Sequence, residues 1–415
     1  MSCASATSET ITPPSLATTE SGAPHVPRLR ARLAVLMFLQ YAFPGALLQL
    51  YSVHLAALDF DALTIGVCSA SQALATVLMA LLAGQAADRW FAAERCLAVG
   101  SFLSGVLLLL LVSLHDETSV FVATLAFWML AAPTLLIGTS VCFRHLERPD
   151  RDFGSVRLWG TLGWMTPGWL VWLWGRLNGV SGNDAPCREL FCVGSGFAFL
   201  LTIYALTLPP TPPQPDVRRK AAPLAALALL RRVPFAVYCF CTFGVCITYP
   251  FTTQATPLLL NRLGVPGEWL GPMLTLAQVS EVIVLFLLPM LLLRLGVRGT
   301  MLLGLIAWTV VLTILTVGHP LGLVVSSLGL NGLYIAGFLV AGQVFVNRQA
   351  GDGLRASVQA LLTFVNGVGM LIGHLLVGYL RRVNQGELPQ AFTVATLITG
   401  VMLVLFLVGF RARDE

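Results

Sequence analysis

The sequence predicts an all-α membrane protein of twelve transmembrane helices, arranged as two halves of six. Three observations predict it. The chain is 56% hydrophobic and 11% charged, with a mean hydropathy of +0.81, whereas soluble domains carry about 25% charged residues. Its apolar runs recur at lengths near the roughly 20 residues that a helix needs to cross a bilayer. Midway along the chain, one proline-rich and basic stretch, "PPTPPQPDVRRKAAPLAALALLRR" (209–232), separates six runs from six.

The elements follow in order. Residues 1–31, rich in Ser, Thr and Pro at first and then basic, read as a disordered cytoplasmic tail, with no apolar core of a secretory signal. The first half, 32–208, holds candidate spans near 33–58, 63–86, 96–114, 119–143, 153–175 and 189–208. After the 209–232 linker, the second half, 233–411, holds spans near 234–258, 269–293, 300–317, 321–347, 355–380 and 389–410, and a short cytoplasmic tail (412–415) ends the chain. Prolines stop span six. With the tail inside and the spans alternating, cytoplasmic segments hold nineteen Lys and Arg residues and the outer loops five, leaving Arg157 in the membrane. That asymmetry puts both termini in the cytoplasm and implies a multi-pass protein of the inner, or plasma, membrane. The net charge of +5 therefore reflects topology and not a nucleic-acid partner. The nine cysteines show no metal-ligand spacing. Cys187 and Cys192 share one outer loop, and two unrelated thiols is the favoured reading over a disulfide.

Charge inside the membrane is costly and is the best functional pointer in such a chain. Arg157, whose guanidinium stays charged, opens span five, and Thr161 and Trp164 follow at i+4 and i+7 on the same helical face. Glu281 lies near the middle of span eight in "MLTLAQVSEVIVLFLLPM", with Gln278 three residues earlier. Spans five and eight belong to opposite halves, and transporters built from repeats bind their substrates between halves near the midplane. The pattern predicts a wet cavity in which Arg157 donates, Trp164 offers a stacking face, Thr161 adds a hydroxyl, and Glu281 carries a proton. The plainer alternatives are that Arg157 snorkels to the membrane surface, that Glu281 bonds one helix to another, and that Trp164 only packs. Gln343, Asn366 and His374 read as packing glue between helices. No nucleophile–base pair, metal cluster or phosphate loop is evident, so the sequence reads as a non-enzyme without cofactor.

The 6+6 organisation resembles the major facilitator superfamily, and "GQAADRWFAAER" after span two carries Gly84, Asp88 and Arg89 at that superfamily's G-x-x-x-D-R/K spacing, a motif that helps latch one closed state. Further residues resemble one branch, the nucleoside:proton symporter family. "VRLWGTLGW" (156–164) matches its R-x-W-G-T-x-G-aromatic motif, and "LAQVSEVIVLFLLPMLLLRLGVR" (276–298) its S-Q-x-S-E segment, with Ala277 at the first Ser. "FLQYAFPGALLQL" (38–50), "FLVAGQVFV" (338–346) and "RASVQALLTFVNGVGMLIG" (355–373) resemble spans one, ten and eleven. The resemblance implies that Arg157, Thr161, Trp164, Gln278 and Glu281 bind sugar and base and that Glu281 couples uptake to a proton. Two departures accompany it. The family's base-reading amides of span seven align with Thr248 and Phe251, and its aromatic–Asp pair of span ten aligns with Ile335 and Ala336, with Tyr334 nearby as a substitute aromatic. The implied partners are a nucleoside-like small molecule, a proton and the lipid bilayer, and the implied state is a monomer. The departures keep two alternatives open: a transporter of sugars or another polar metabolite, and a non-transporting sensor on the same fold.

Overall fold

A computed structural model of the chain describes residues 26–82, 92–146, 149–178, 187–208, 227–349 and 355–410. All regular structure among them is helical. The first half contains α1 (Val26–Ala57), α2 (Ala62–Ser69), α3 (Ser71–Leu82), α4 (Ala93–Leu111), α5 (Glu117–His145), α6 (Pro149–Asn178) and α7 (Cys187–Ala205). A single 3₁₀ turn, Leu227–Arg231, then leads into α8 (Val233–Pro250), a π-helical turn (Phe251–Ala255), α9 (Thr256–Arg262) and α10 (Gly267–Val317). The chain continues through α11 (Leu321–Leu328), α12 (Asn331–Tyr334), a second π-helical turn (Ile335–Val340), α13 (Ala341–Gln349), α14 (Arg355–Val383) and α15 (Leu388–Gly409).

Local chemistry explains the ends of several helices. The Asp61 carboxylate accepts the Thr64 N–H at 2.7 Å and that of Asp116 accepts the Ser119 N–H at 2.8 Å, so each caps a helix start. Proline occupies the first turn of α8 and α15, where no intrahelical N–H is required. Gly318, at φ 71°, ends α10 in the left-handed conformation that glycine adopts freely.

Ten helical segments among the described residues are long and apolar enough to cross a membrane. One of them, α10, holds two helices, as the two spans expected from the sequence require; they meet at Gly296, at φ 66° and ψ 178°, without an intervening loop. Helix α6 is as long as a span, but its many Trp and Gly residues, with Thr and Pro among them, keep it less apolar than that set. Apolar side chains cover much of the outside: Phe286 and Leu293 on α10 are 85% and 87% exposed, as suits a surface solvated by lipid.

Other boundaries also differ from the sequence reading. Helix α1 begins at Val26, so residues 26–31 are helical and not tail, and Leu227–Arg231 forms a helical turn inside the expected linker. The expected spans two, seven and ten are each interrupted, at Ala70 and at the two π turns. Arg381 and Arg382 form the last turn of α14 and not a loop. Cys187 and Cys192 both lie on α7 as free thiols. Gly84, Asp88 and Arg89 lie outside the described residues.

Two hydrophobic cores form. One is built from Leu33 to Leu208, with α1 packed along α6 and α7 and α4 on α5 and α7. The other is built mainly from Leu229 to Phe410, with α10 against α12 and α15 and α8 against α14 and α15. The two bundles meet along two seams, α6 on α10 and α2–α3 on α14.

Candidate functional site

A cavity of about 410 Å³ lies between the two bundles. Helices α1 and α6 supply one wall. Tyr41 and Gln49 come from α1, and Arg157, Thr161 and Trp164 come from α6. The i, i+4, i+7 spacing does place these three α6 residues on one face, as helical periodicity requires. The Arg157 guanidinium carbon lies 4.1 Å from the centroid of the Tyr41 ring, a cation–π contact that holds the cation on the wall. Gln49 donates from Nε2 to the Trp164 carbonyl at 2.5 Å and ties α1 to α6 beside the cavity.

The opposite wall comes from α8, α10, α12, α14 and both π turns, with Pro257 of α9 and Leu328 of α11. Gln278 and Glu281 of α10 line it, as do Asn331 and Tyr334 of α12 and Asn366 of α14. Three aromatic rings form a layered patch. Trp308 stacks on Tyr334 with ring centroids 4.1 Å apart and 26° between planes, and Tyr249 lies 6.3 Å from Trp308 at 24°. Gly332 fits α12 against α10 by donating its N–H to the Ser280 hydroxyl at 2.9 Å, and this sets Asn331 on the same wall as Glu281. Arg157 and Glu281 line the cavity from opposite bundles. No ion pair within 4.0 Å joins them among the described residues, so both stay available to a polar guest and a proton.

Six of the eight binding positions read from the sequence therefore reach the cavity: Arg157, Thr161, Trp164, Gln278, Glu281 and Tyr334. Thr248 and Phe251 do not. Both are fully buried, and the Thr248 hydroxyl accepts the Trp308 indole N–H at 2.8 Å and donates to the Val245 carbonyl at 2.7 Å. Thr248 lies on regular α8 just before Tyr249, which faces the cavity, and Phe251 opens the π turn, whose wider winding accompanies Thr252 and Thr253 at the wall. Thr248 instead braces the aromatic patch from behind. Ala336, at the resemblance-implied acidic position, is buried in the second π turn, and its neighbour Ile335 lines the wall.

Of the residues read as glue, His374 bonds Gln254 at 2.9 Å from α14 to the first π turn, and Asn366 lies on the cavity and accepts from the Cys246 thiol at 3.4 Å. Gln343 is exposed. Sequence reasoning passed over Gln49 and Asn331, which the rule for intramembrane polar groups, applied evenly, selects. Tyr41, Tyr249 and Trp308 carried no signal apart from the many other aromatic residues of an apolar chain.

The cavity is closed at the end where α1 finishes. In the α6–α10 seam, Gly168 and Gly271 meet backbone to backbone: a Cβ on Gly271 would lie 2.9 Å from the Gly168 Cα. Trp169 donates from its indole to the Thr275 hydroxyl at 3.2 Å, and Trp172 packs edge-on against Trp269 with centroids 5.2 Å apart. In the α2–α14 seam, a Cβ on Gly66 would lie 2.9 Å from the Gly378 Cα, and Asp61 faces Arg382 at 4.0 Å. Hydrogen bonds from Thr64, and secondarily the Arg382 charge, hold the Asp61 carboxyl below the usual carboxylate range.

The pattern of one family, described as Nucleoside H+ symporter, matches residues 28–415. The nucleoside permease NupG of Escherichia coli (strain K12) is 25% identical over 404 residues, 91% of this chain and 94% of that protein. The xanthosine permease of the same organism is 27% identical over 373 residues, 84% of this chain and 86% of that one. A crystal structure of the nucleoside transporter NupG, as an aspartate-to-alanine mutant, superposes with a TM-score of 0.82 and 23% identity, covering 92% of this chain and 100% of that chain.

Proposed function

Because the chain belongs to the nucleoside H+ symporter family, we propose that it moves a nucleoside together with a proton through the cavity between its bundles, by alternating access. The observation that carries this reading is the placement of Arg157 and Glu281, from opposite bundles, on facing walls of one cavity. Its 410 Å³ falls in the lower part of the range of about 300–1,000 Å³ typical of small-molecule sites.

In the proposed cycle, Glu281 takes a proton from outside. Arg157, Thr161, Gln278 and Glu281 hydrogen-bond the sugar and base, and Trp164 and the Tyr249–Trp308–Tyr334 patch sandwich the ring. The bundles then rock and release both inside. Twelve crossings follow if α6 is counted as a span and α10 as two, with the halves at 32–208 and 233–411. The arginine bias places both termini in the cytoplasm of an inner-membrane protein. The sealed end then faces outside, so the described state is closed to the exterior. Gly84, Asp88 and Arg89 act as a latch on the inner side, and the working unit is a monomer.

A second reading, a sugar or other polar metabolite as cargo, draws on Thr248 and Phe251, which bring no amide to the wall. Uptake of labelled uridine and adenosine into cells expressing the chain, at external pH of about 5.5 and 7.5 and beside Glu281→Gln, tests the proposal. Uptake that rises at low pH and is lost in Glu281→Gln supports it. Absence of uptake, with the protein shown to be in the membrane, overturns the nucleoside reading. Uptake indifferent to pH overturns the proton coupling.

A further inference from the structure

Two acids or bases of permanent charge are buried among the described residues, Asp152 and Arg381. Asp152 is paired with Arg30 at 2.5 Å. Arg381, in the last turn of α14, is 6% exposed and has no partner: its Nε and Nη1 are enclosed without a hydrogen bond. A guanidinium cannot relieve this by losing its proton, and an unpaired charge away from water is among the most unfavourable features a fold can hold. The cation beside it is Arg262, an exposed residue at the end of α9: a Cβ on Gly386 would lie 3.2 Å from an Arg262 guanidinium nitrogen, and the Gly386 N–H donates to the Arg381 carbonyl at 2.6 Å. The nearby acid Asp61 is engaged by Arg382, and Glu387 forms no ion pair among the described residues. Neither arginine lines the central cavity.

We infer that Arg381 and Arg262 form a binding site for a small inorganic anion, chloride first, at the end of the bundle where α9 and α14 finish. The Nη2 of Arg381 and the exposed head of Arg262 are the donors. One monovalent anion between them converts a like-charge pair into a bridged one, with charge-assisted hydrogen bonds on both sides. The site lies one turn beyond Gly378, where α14 meets α2, so its occupancy bears on the seam between bundles and not on cargo.

The test is thermal unfolding of the purified full chain in detergent, titrated with chloride against gluconate at constant ionic strength. The melting temperature rises and saturates with chloride. Arg262→Met raises the half-saturating concentration about tenfold. Arg381→Met removes the dependence and, in gluconate alone, melts no lower than the parent, because the unpaired charge is gone. If Arg381→Met does not fold, the Arg262→Met titration decides alone. Phosphate acting like chloride, with the same sensitivity to the two variants, also supports the site. A parent protein indifferent to every anion, a chloride response that survives in Arg381→Met or is unshifted in Arg262→Met, or a response confined to added phosphatidylglycerol overturns the inference. The last outcome assigns the arginines to lipid headgroups.

Discussion

The two walls of the cavity are built in different ways. The first-bundle wall comes from two helices, α1 and α6, that keep a regular helical phase where they line it, and its charge is one cation held over a tyrosine ring. The second-bundle wall comes from six helices and two π turns, and it carries the acid, three clustered aromatic rings and three amides. A cation needs only a fixed perch. An acid that loads and unloads a proton needs neighbours that rearrange around it, and π turns are recurrent sites of such local adjustment. The irregular wall is therefore the one expected to move during transport, and the regular wall the one that presents a constant surface to the cargo.

Substitutions separate the two walls, beginning with the largest effect. Glu281→Gln keeps the shape of the second wall and removes its charge. Concentrative uptake disappears, while exchange of labelled for unlabelled nucleoside persists, and counterflow in proteoliposomes distinguishes the two. Arg157→Ala strips the first wall of its donors and weakens binding by about 10- to 100-fold, the loss expected for charged hydrogen bonds. Arg157→Lys restores only part of this, because an ammonium lacks the planar fork. Direct binding of labelled uridine measures both. If Glu281→Gln also abolishes exchange, the acid is chiefly a cargo ligand and the contrast between the walls weakens.

Smaller effects test where the walls join. Gly271→Val puts a branched side chain where backbones touch, so it holds the α6–α10 seam apart. Thiol labelling of a cysteine placed at Trp172, in a background lacking the native thiols, should increase several-fold. Trp308→Phe retains a stacked ring but leaves the Thr248 hydroxyl without the indole donor, at a cost of about 1 kcal/mol in stability, read from the melting temperature with binding little changed. Asp61→Asn should have the smallest effect. Because the folded-state pKa of Asp61 is depressed, its contribution is present above the ordinary carboxylate range and is lost as pH falls through and below it. The parent and the variant should therefore differ slightly in melting temperature at neutral pH and converge under acid. Asp61 is half exposed, so solvent screening keeps the difference small.

Legibility in the sequence followed the same division. Arg157, Thr161 and Trp164 were readable because α6 keeps 3.6 residues per turn through them. Gln278 and Glu281 were readable because an acid deep in an apolar run has few reasons to be there. Thr248 and Phe251 came from alignment with the resembled family, and a correspondence of positions carries no mark of which side chains the α8–π-turn junction points inward. The two spans within α10 were readable because the charged stretch from Arg294 to Arg298 interrupts its apolar character, and the backbone turns between two helices there, at Gly296. The glycine contacts between bundles were invisible for a different reason. They pair Gly66 with Gly378 and Gly168 with Gly271, and no local pattern links residues so far apart in sequence.

The turn at Gly296 has a mechanical consequence. Glu281 and Trp308 lie on two helices joined by a single residue at φ 66° and ψ 178°, a conformation essentially reserved for glycine. With no loop between them, the arm that holds the acid and the arm that holds the aromatic patch can change their mutual angle chiefly by rotation at that one glycine. In the proposed cycle the proton site and the grip on a ring then sit on either side of a single hinge, like the two leaves of a door.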